Sequence, residues 1–151
     1  GTGIEVRFIE FMDVGNSNDW RLDEVVTANE MLKVISEEFE LSPLPFSNKS
    51  DVAKRWNIVG TNDNIGIISS ISMPFCGDCS RARISADGKL FTCLFSSKGF
   101  DLKHMLRGNY SDLEIKNKII EIWEMRDDRY SELRHDSKSQ IGKIEMSYIG
   151  G

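Results

Sequence analysis

The run RARISADGKLFTCLF, Arg81 to Phe95, narrows most what this chain can fold into. Ala86-Asp87-Gly88 separates two short stretches rich in β-branched and apolar residues. Asp-Gly is a strong short hairpin signal, because glycine accepts the left-handed backbone that such a turn demands. Pairing residues 82–86 with 89–93 gives two antiparallel strands, and Cys93 on the far arm then returns beside Cys79. Cys76 and Cys79 sit three residues apart, with Gly77 relieving the crowding between them. All three thiols of the chain can therefore meet at one point.

Three occupants compete for that point. The odd count makes no disulfide framework, and a disulfide plus a free thiol is possible but odd for a reducing cytoplasm, where a metal or catalytic role fits better. Structural zinc wants four protein ligands. A fourth is not evident, since His104 lies eleven residues past Cys93, His135 lies farther, and Asp78 stands between the paired cysteines. An iron–sulfur cluster accepts three thiolates and leaves one iron open to substrate. Spacing alone leaves zinc and cluster level. Arg81 and Arg83 stand two apart on the expected strand and so share a face, where guanidinium forks suit phosphate oxygens. Two arginines at alternate positions are otherwise an ordinary solvated face.

The surrounding chain reads as an α+β domain. Ile4–Val14 is dense in β-branched and aromatic residues with charges on both alternating faces, which predicts a largely buried strand. Gly15 to Trp20 is a turn-rich loop. Thr27-Ala28-Asn29-Glu30 is a capping box, so a helix is expected over about 28–39 with Met31, Leu32, Ile35 and Phe39 on one face. Leu41–Asn48, carrying Pro43 and Pro45, reads as a non-helical connector. The runs 52–59 and 64–72 flank a turn signal at Gly60–Asp63 and should pair as a hairpin. A short helix over about 101–107 and a longer one from Ser111 follow, the latter opened by the capping box Ser111–Glu114 with Ile115, Ile119, Ile122 and Trp123 as its apolar stripe. A polar stretch from Asp127 to Gln140 precedes the terminal IGKIEMSYIGG.

The net charge of −5 argues against a general nucleic-acid or membrane binder but leaves room for a local cationic pocket. No apolar run is long enough to span a bilayer. The start at Gly1-Thr2-Gly3, without methionine, has the look of a piece cut from a longer protein.

The segment CGDCSRARISADGKLFTCLF resembles the C-terminal cluster motif of the GTP 3′,8-cyclase family of radical S-adenosylmethionine enzymes, also called molybdenum cofactor biosynthesis protein A. Cys76, Cys79, Cys93, Arg81, Arg83, Asp87 and Gly88 all fit its pattern, RFIEFMDVGN near the start matches as well, and so does the final Gly150-Gly151. The resemblance implies that Cys76, Cys79 and Cys93 ligate a [4Fe–4S] cluster whose open iron meets the guanine of GTP. It implies that Arg81, Arg83 and the backbone of Ala82 line the GTP site, and that Arg7 faces the triphosphate. Met12 corresponds to an S-adenosylmethionine contact, and Gly150-Gly151 to a tail that reaches the active site. For Arg7, an ion pair with Glu5 or Glu10 is the competing structural role.

The family's CxxxCxxC motif, which holds the second [4Fe–4S] cluster that cleaves S-adenosylmethionine, is absent here. The chain is thus expected to be the C-terminal portion, inactive alone, with residues 1–48 ending an incomplete (βα) barrel and 49–151 forming a mainly antiparallel sheet with flanking helices that carries cluster and GTP. In the family reaction a 5′-deoxyadenosyl radical takes the ribose 3′-hydrogen of GTP, and the carbon radical attacks C8 to give 3′,8-cyclo-7,8-dihydro-GTP, a lyase step in molybdenum cofactor biosynthesis. The implied partners are GTP and the N-terminal barrel half, with a homodimer following if apolar surface is left open. Rival readings are an auxiliary-cluster domain of another radical enzyme, a zinc-stabilised binding module, and a Gly-Gly sulfur carrier, which the cysteine motif and the length count against.

Overall fold

Strand formation in the first apolar run is confined to Val6–Ile9 (β1), far shorter than the expected Ile4–Val14. The computed structural model describes residues 2–134 and 143–149. They divide into two units, one built from the residues up to Met12 with Trp20–Cys79, the other from Asp13–Asp19 with the residues from Ser80 onward.

In the first unit β1 is followed by α1 (Ala28–Glu38), β2 (Leu41–Leu44), β3 (Lys54–Ile58) and β4 (Asn64–Ile68). The sheet order is β1-β4-β3-β2, with β1 parallel to β4 and the other pairs antiparallel. A parallel partner needs a long crossover, and the segment carrying α1, β2 and β3 provides it. The hairpin expected across Gly60–Asp63 is β3–β4, with Asn57 opposite Asn64. The expected burial of β1 is corrected: Val6 and Ile9 are 52% and 51% exposed, because β1 is an edge strand paired on one side only. The expected connector is corrected as well, since Leu41–Leu44 joins β3 as the opposite edge strand. Pro43 is tolerated there because an edge strand need not donate every amide to the ladder.

Helix α1 starts where the capping box placed it. The Thr27 hydroxyl accepts from the Glu30 amide at 3.4 Å, and Glu30 Oε2 accepts from the Thr27 amide at 2.8 Å. Ile65 and Ile67 of β4 are buried, as are Ala53 and Ile71.

The second unit contains β5 (Arg83–Ile84), β6 (Lys89–Phe91) and β7 (Phe100–Asp101) in one antiparallel sheet, then α2 (Lys103–Arg107), α3 (Asp112–Glu124) and α4 (Tyr130–Leu133). The hairpin register sets Arg83 opposite Phe91 and Ile84 opposite Leu90. Gly88 takes φ +86°, the conformation for which the turn recruits glycine. Ser85 reinforces the turn, its hydroxyl donating to Asp87 Oδ1 at 2.5 Å and accepting from the Lys89 amide at 3.1 Å. The ladder is shorter than expected and stops at Phe91. Cys93 instead opens a turn closed by the Ser96 amide on its carbonyl at 3.2 Å. Leu90, Leu102 and Ile122 form the core of this unit. Ser111 caps α3 through its box with Glu114, but of the expected stripe only Ile122 is fully buried. No helix among the described residues is long and apolar enough to cross a membrane.

Candidate functional site

The cysteine turn is the first element of the site. Cys76–Asp78 is a single 3-10 turn, closed by the Cys79 amide on the Cys76 carbonyl at 3.3 Å, so the two cysteines stand at its two ends. None of the three cysteines is in a disulfide, and all three are half-buried. The Phe95 amide points at Cys93 Sγ at 3.5 Å. Among the described residues no three His, Cys, Asp or Glu side chains are grouped so as to hold a metal ion. Cys76 and Cys79 belong to the first unit and Cys93 to the second. His104 is exposed and meets Tyr110 edge-on; His135 lies outside the described residues.

Of the arginines behind the cysteines, Arg83 is half-buried at the start of β5, whereas Arg81 and Ala82 are exposed and precede the ladder. The shared-face argument for Arg81 and Arg83 therefore does not rest on a common strand. Arg7 lies in β1, and its Nε donates to Glu5 Oε1 at 2.7 Å. Glu5 Oε2 accepts from Arg55 Nε at 2.6 Å, so one carboxylate holds two guanidiniums. The bond from Arg7 is the largest influence on Glu5 and, with Arg55, outweighs burial and keeps the carboxyl below its ordinary range. Met12 is half-buried at the end of its segment of the first unit. Gly150 and Gly151 lie outside the described residues; Met146–Ile149 before them is a 3-10 turn with Ile149 fully buried.

The two carboxylates of the IEFMDV stretch do what the sequence did not disclose. Glu10, one of the two partners considered for Arg7, is fully buried and accepts from the amides of Ala28, Ile71 and Ser72 at 2.7–2.8 Å and from the Ser72 hydroxyl. It ties the end of β1 to the start of α1 and to the turn after β4. Burial raises its pKa, but these four donors outweigh it and hold the carboxyl below its ordinary range. Asp13, in the second unit, is buried against Arg134 at 3.0 Å, Lys143 at 3.0 Å and the Tyr130 hydroxyl at 2.7 Å. The only signal for either was a charge inside an apolar run.

The family described as Molybdenum Cofactor Synthesis C matches residues 4–132, which include the cysteine turn, the arginines and both buried carboxylates. The chain belongs to this family. Among curated proteins, GTP 3′,8-cyclase of Staphylococcus haemolyticus (strain JCSC1435) is 45% identical over 152 residues, covering 98% of this chain and 45% of the relative. GTP 3′,8-cyclase of Synechococcus sp. (strain CC9605) is 46% identical over 149 residues, covering 99% and 42%. This Molybdenum Cofactor Synthesis C chain thus spans less than half the length of the curated relatives it matches.

Proposed function

We propose that this chain is the substrate-binding, C-terminal part of a GTP 3′,8-cyclase, working with a preceding barrel half that binds S-adenosylmethionine and the cluster that cleaves it. The observation that carries the reading is the cysteine turn, whose cysteines form no disulfide, inside a family match that spans most of the chain. In this reading residues 1–48 end the barrel and 49–151 form the cluster- and GTP-binding region.

Cys76, Cys79 and Cys93 are proposed to hold a [4Fe–4S] cluster. When bound, such a cluster with three thiolate ligands offers one open iron to a substrate atom. Arg7, Arg81 and Arg83 neutralise the polyphosphate, and the backbone of Ala82 lies along the nucleotide. Met12 contacts S-adenosylmethionine, and Gly150-Gly151 enters the reaction space. The residues of this chain hold GTP so that its ribose C3′ and guanine C8 stay close, which is rate enhancement by positioning. A reducing cytoplasm keeps the thiols available.

The test is iron, sulfide and zinc analysis of anaerobically purified chain, with a visible spectrum. About four irons and four sulfides per chain are expected for a four-iron cluster, together with a brown colour, and Cys93→Ala is expected to lose them. One zinc without sulfide would overturn the cluster assignment and favour a structural metal.

A further inference from the structure

The segment 143–149 is fastened within the second unit at both of its ends. At the near end Glu145 accepts from the Asn16 amide at 2.7 Å and from the Ser17 hydroxyl at 3.1 Å. The Asn16 side chain makes two bonds to the Lys143 backbone, donating to its carbonyl at 2.5 Å and accepting from its amide at 3.3 Å. Gly15 serves this fastening. It takes φ +73°, and a Cβ there would meet Glu145 Oε2 at 2.3 Å, so a side chain would push the carboxylate off its donors. At the far end the Tyr148 hydroxyl donates to Asp87 Oδ2 at 2.7 Å and accepts from Lys89 Nζ at 3.0 Å, while Lys89 and Asp87 pair directly at 3.0 Å. The Tyr148 ring meets Phe91 edge-on, and Ile149 is fully buried.

Two kinds of contact thus hold the far end, and they differ in what they fix. Burial of Ile149 is favourable but non-directional, so it tolerates a slide or a rotation of the segment. The Tyr148 clasp is exposed, with the Asp87 and Lys89 side chains each 40% accessible, and exposed charge pairs add little stability. Its geometry is closed all the same. Hydroxyl, ammonium and carboxylate each touch the other two, and the Ser85 hydroxyl holds the second carboxylate oxygen at 2.5 Å. A contact that adds little energy yet ties three groups together is suited to setting position. Asp87 and Lys89 flank Gly88 at the tip of the hairpin whose far arm leads to Cys93, and Tyr148 stands two residues before Gly150. The clasp therefore fixes, relative to that hairpin, the point from which the chain runs on to Gly150-Gly151.

We propose that Tyr148 is a positioning residue, clamping the Gly150-Gly151 tail to the Asp87–Lys89 turn so that the tail enters the reaction space at one place. The inference rests on the reading of the tail given above and assigns its anchor to a side chain outside the cysteine, RFIE and Gly-Gly motifs.

Two measurements test it. The first is amide hydrogen exchange on the chain. Tyr148→Phe keeps the ring against Phe91 and loses only the hydroxyl, so faster exchange over 145–151 is expected with an unchanged melting temperature. The second is steady-state GTP turnover by the full-length enzyme carrying the preceding barrel half, with Tyr148→Phe, with Gly150-Gly151 deleted, and with both changes. Tyr148→Phe is expected to lower kcat by about tenfold or more and to leave the KM for GTP in place, since a misplaced positioning group acts on the reacting geometry. In the tail-deleted enzyme the same substitution is expected to have no further effect, because both changes act through one element. Lys89→Met opens the clasp from the hairpin side and is expected to give the same losses, so it decides the matter if Tyr148→Phe does not fold. Unaltered exchange and kcat, or an equal loss of kcat with and without the tail, overturns the proposal and spares the functional reading. GTP turnover that survives deletion of the tail overturns the reading of the tail and the proposal with it. A full-length enzyme that does not turn over GTP at all sinks the functional reading itself, and the proposal falls with it.

Discussion

Glu10→Ala is expected to destabilise the chain by about 3–5 kcal/mol, because it strips a buried carboxylate from donors that have no other partner among the described residues. A loss of that size is comparable to the whole stability of a small domain, so the variant is expected to be largely unfolded at 25 °C in a urea titration. Glu10→Gln keeps the shape and removes the charge, and is expected to lose less. The pH dependence has a definite sign. The folded pKa of Glu10 lies below its ordinary value, so its contribution is fully present above the unfolded value of about 4.3 and is lost as pH falls through the folded pKa. The stability gap between the unaltered chain and Glu10→Gln should therefore narrow in acid. Equal denaturation midpoints at pH 7 would show that the amides of Ala28, Ile71 and Ser72 do not depend on Glu10.

Asp13→Ala is the second large effect. The Arg134 side chain is 7% exposed and that of Asp13 3%, and deleting the carboxylate takes its charge away from a buried guanidinium and from Lys143. Removing one partner of a buried pair costs about 3–5 kcal/mol. Burial works against the charged form of Asp13, but Tyr130, Lys143 and Arg134 more than offset it and hold its pKa below the ordinary range. This contribution too fades in acid. Tyr130 supplies the opposite limb: burial first, then its bond to Asp13, pushes its pKa up to about 12. A raised pKa gives stability that is complete below the unfolded value of about 10 and is lost as pH rises through the folded one. Tyr130→Phe is expected to flatten the alkaline limb of a pH–stability curve and to weaken the acid limb as well, because the lost hydroxyl also helps hold Asp13 ionised. An unchanged alkaline limb would show that the tyrosine titrates freely.

Both carboxylates belong to one short stretch, and each anchors a different unit. Glu10 serves the sheet unit, and Asp13, three residues on, serves the hairpin unit. Their positions explain why a charge-bearing segment can end a strand: the carboxylates are satisfied by amides and cations delivered from 18 to 130 residues away along the chain. Alternation of apolar and charged residues marks such positions as anomalous but cannot name the partners.

What the sequence by itself determined was local. The Thr27 and Ser111 capping boxes, the Asp87-Gly88 turn and the β3–β4 hairpin each depend on residues within a few positions of one another, so side-chain chemistry and backbone preference suffice. The family, too, was legible in the cysteine, arginine and glycine pattern. The tertiary structure alone decided the lengths of β1 and of the β5–β6 ladder, the edge strand at Pro43, and the exposure of β1, because pairing and burial depend on distant segments. It also decided that Arg7 shares Glu5 with Arg55, which lies 48 residues on in the chain. Gly66 makes that meeting feasible by presenting no side chain between them, and only strand register brings those three positions into one row.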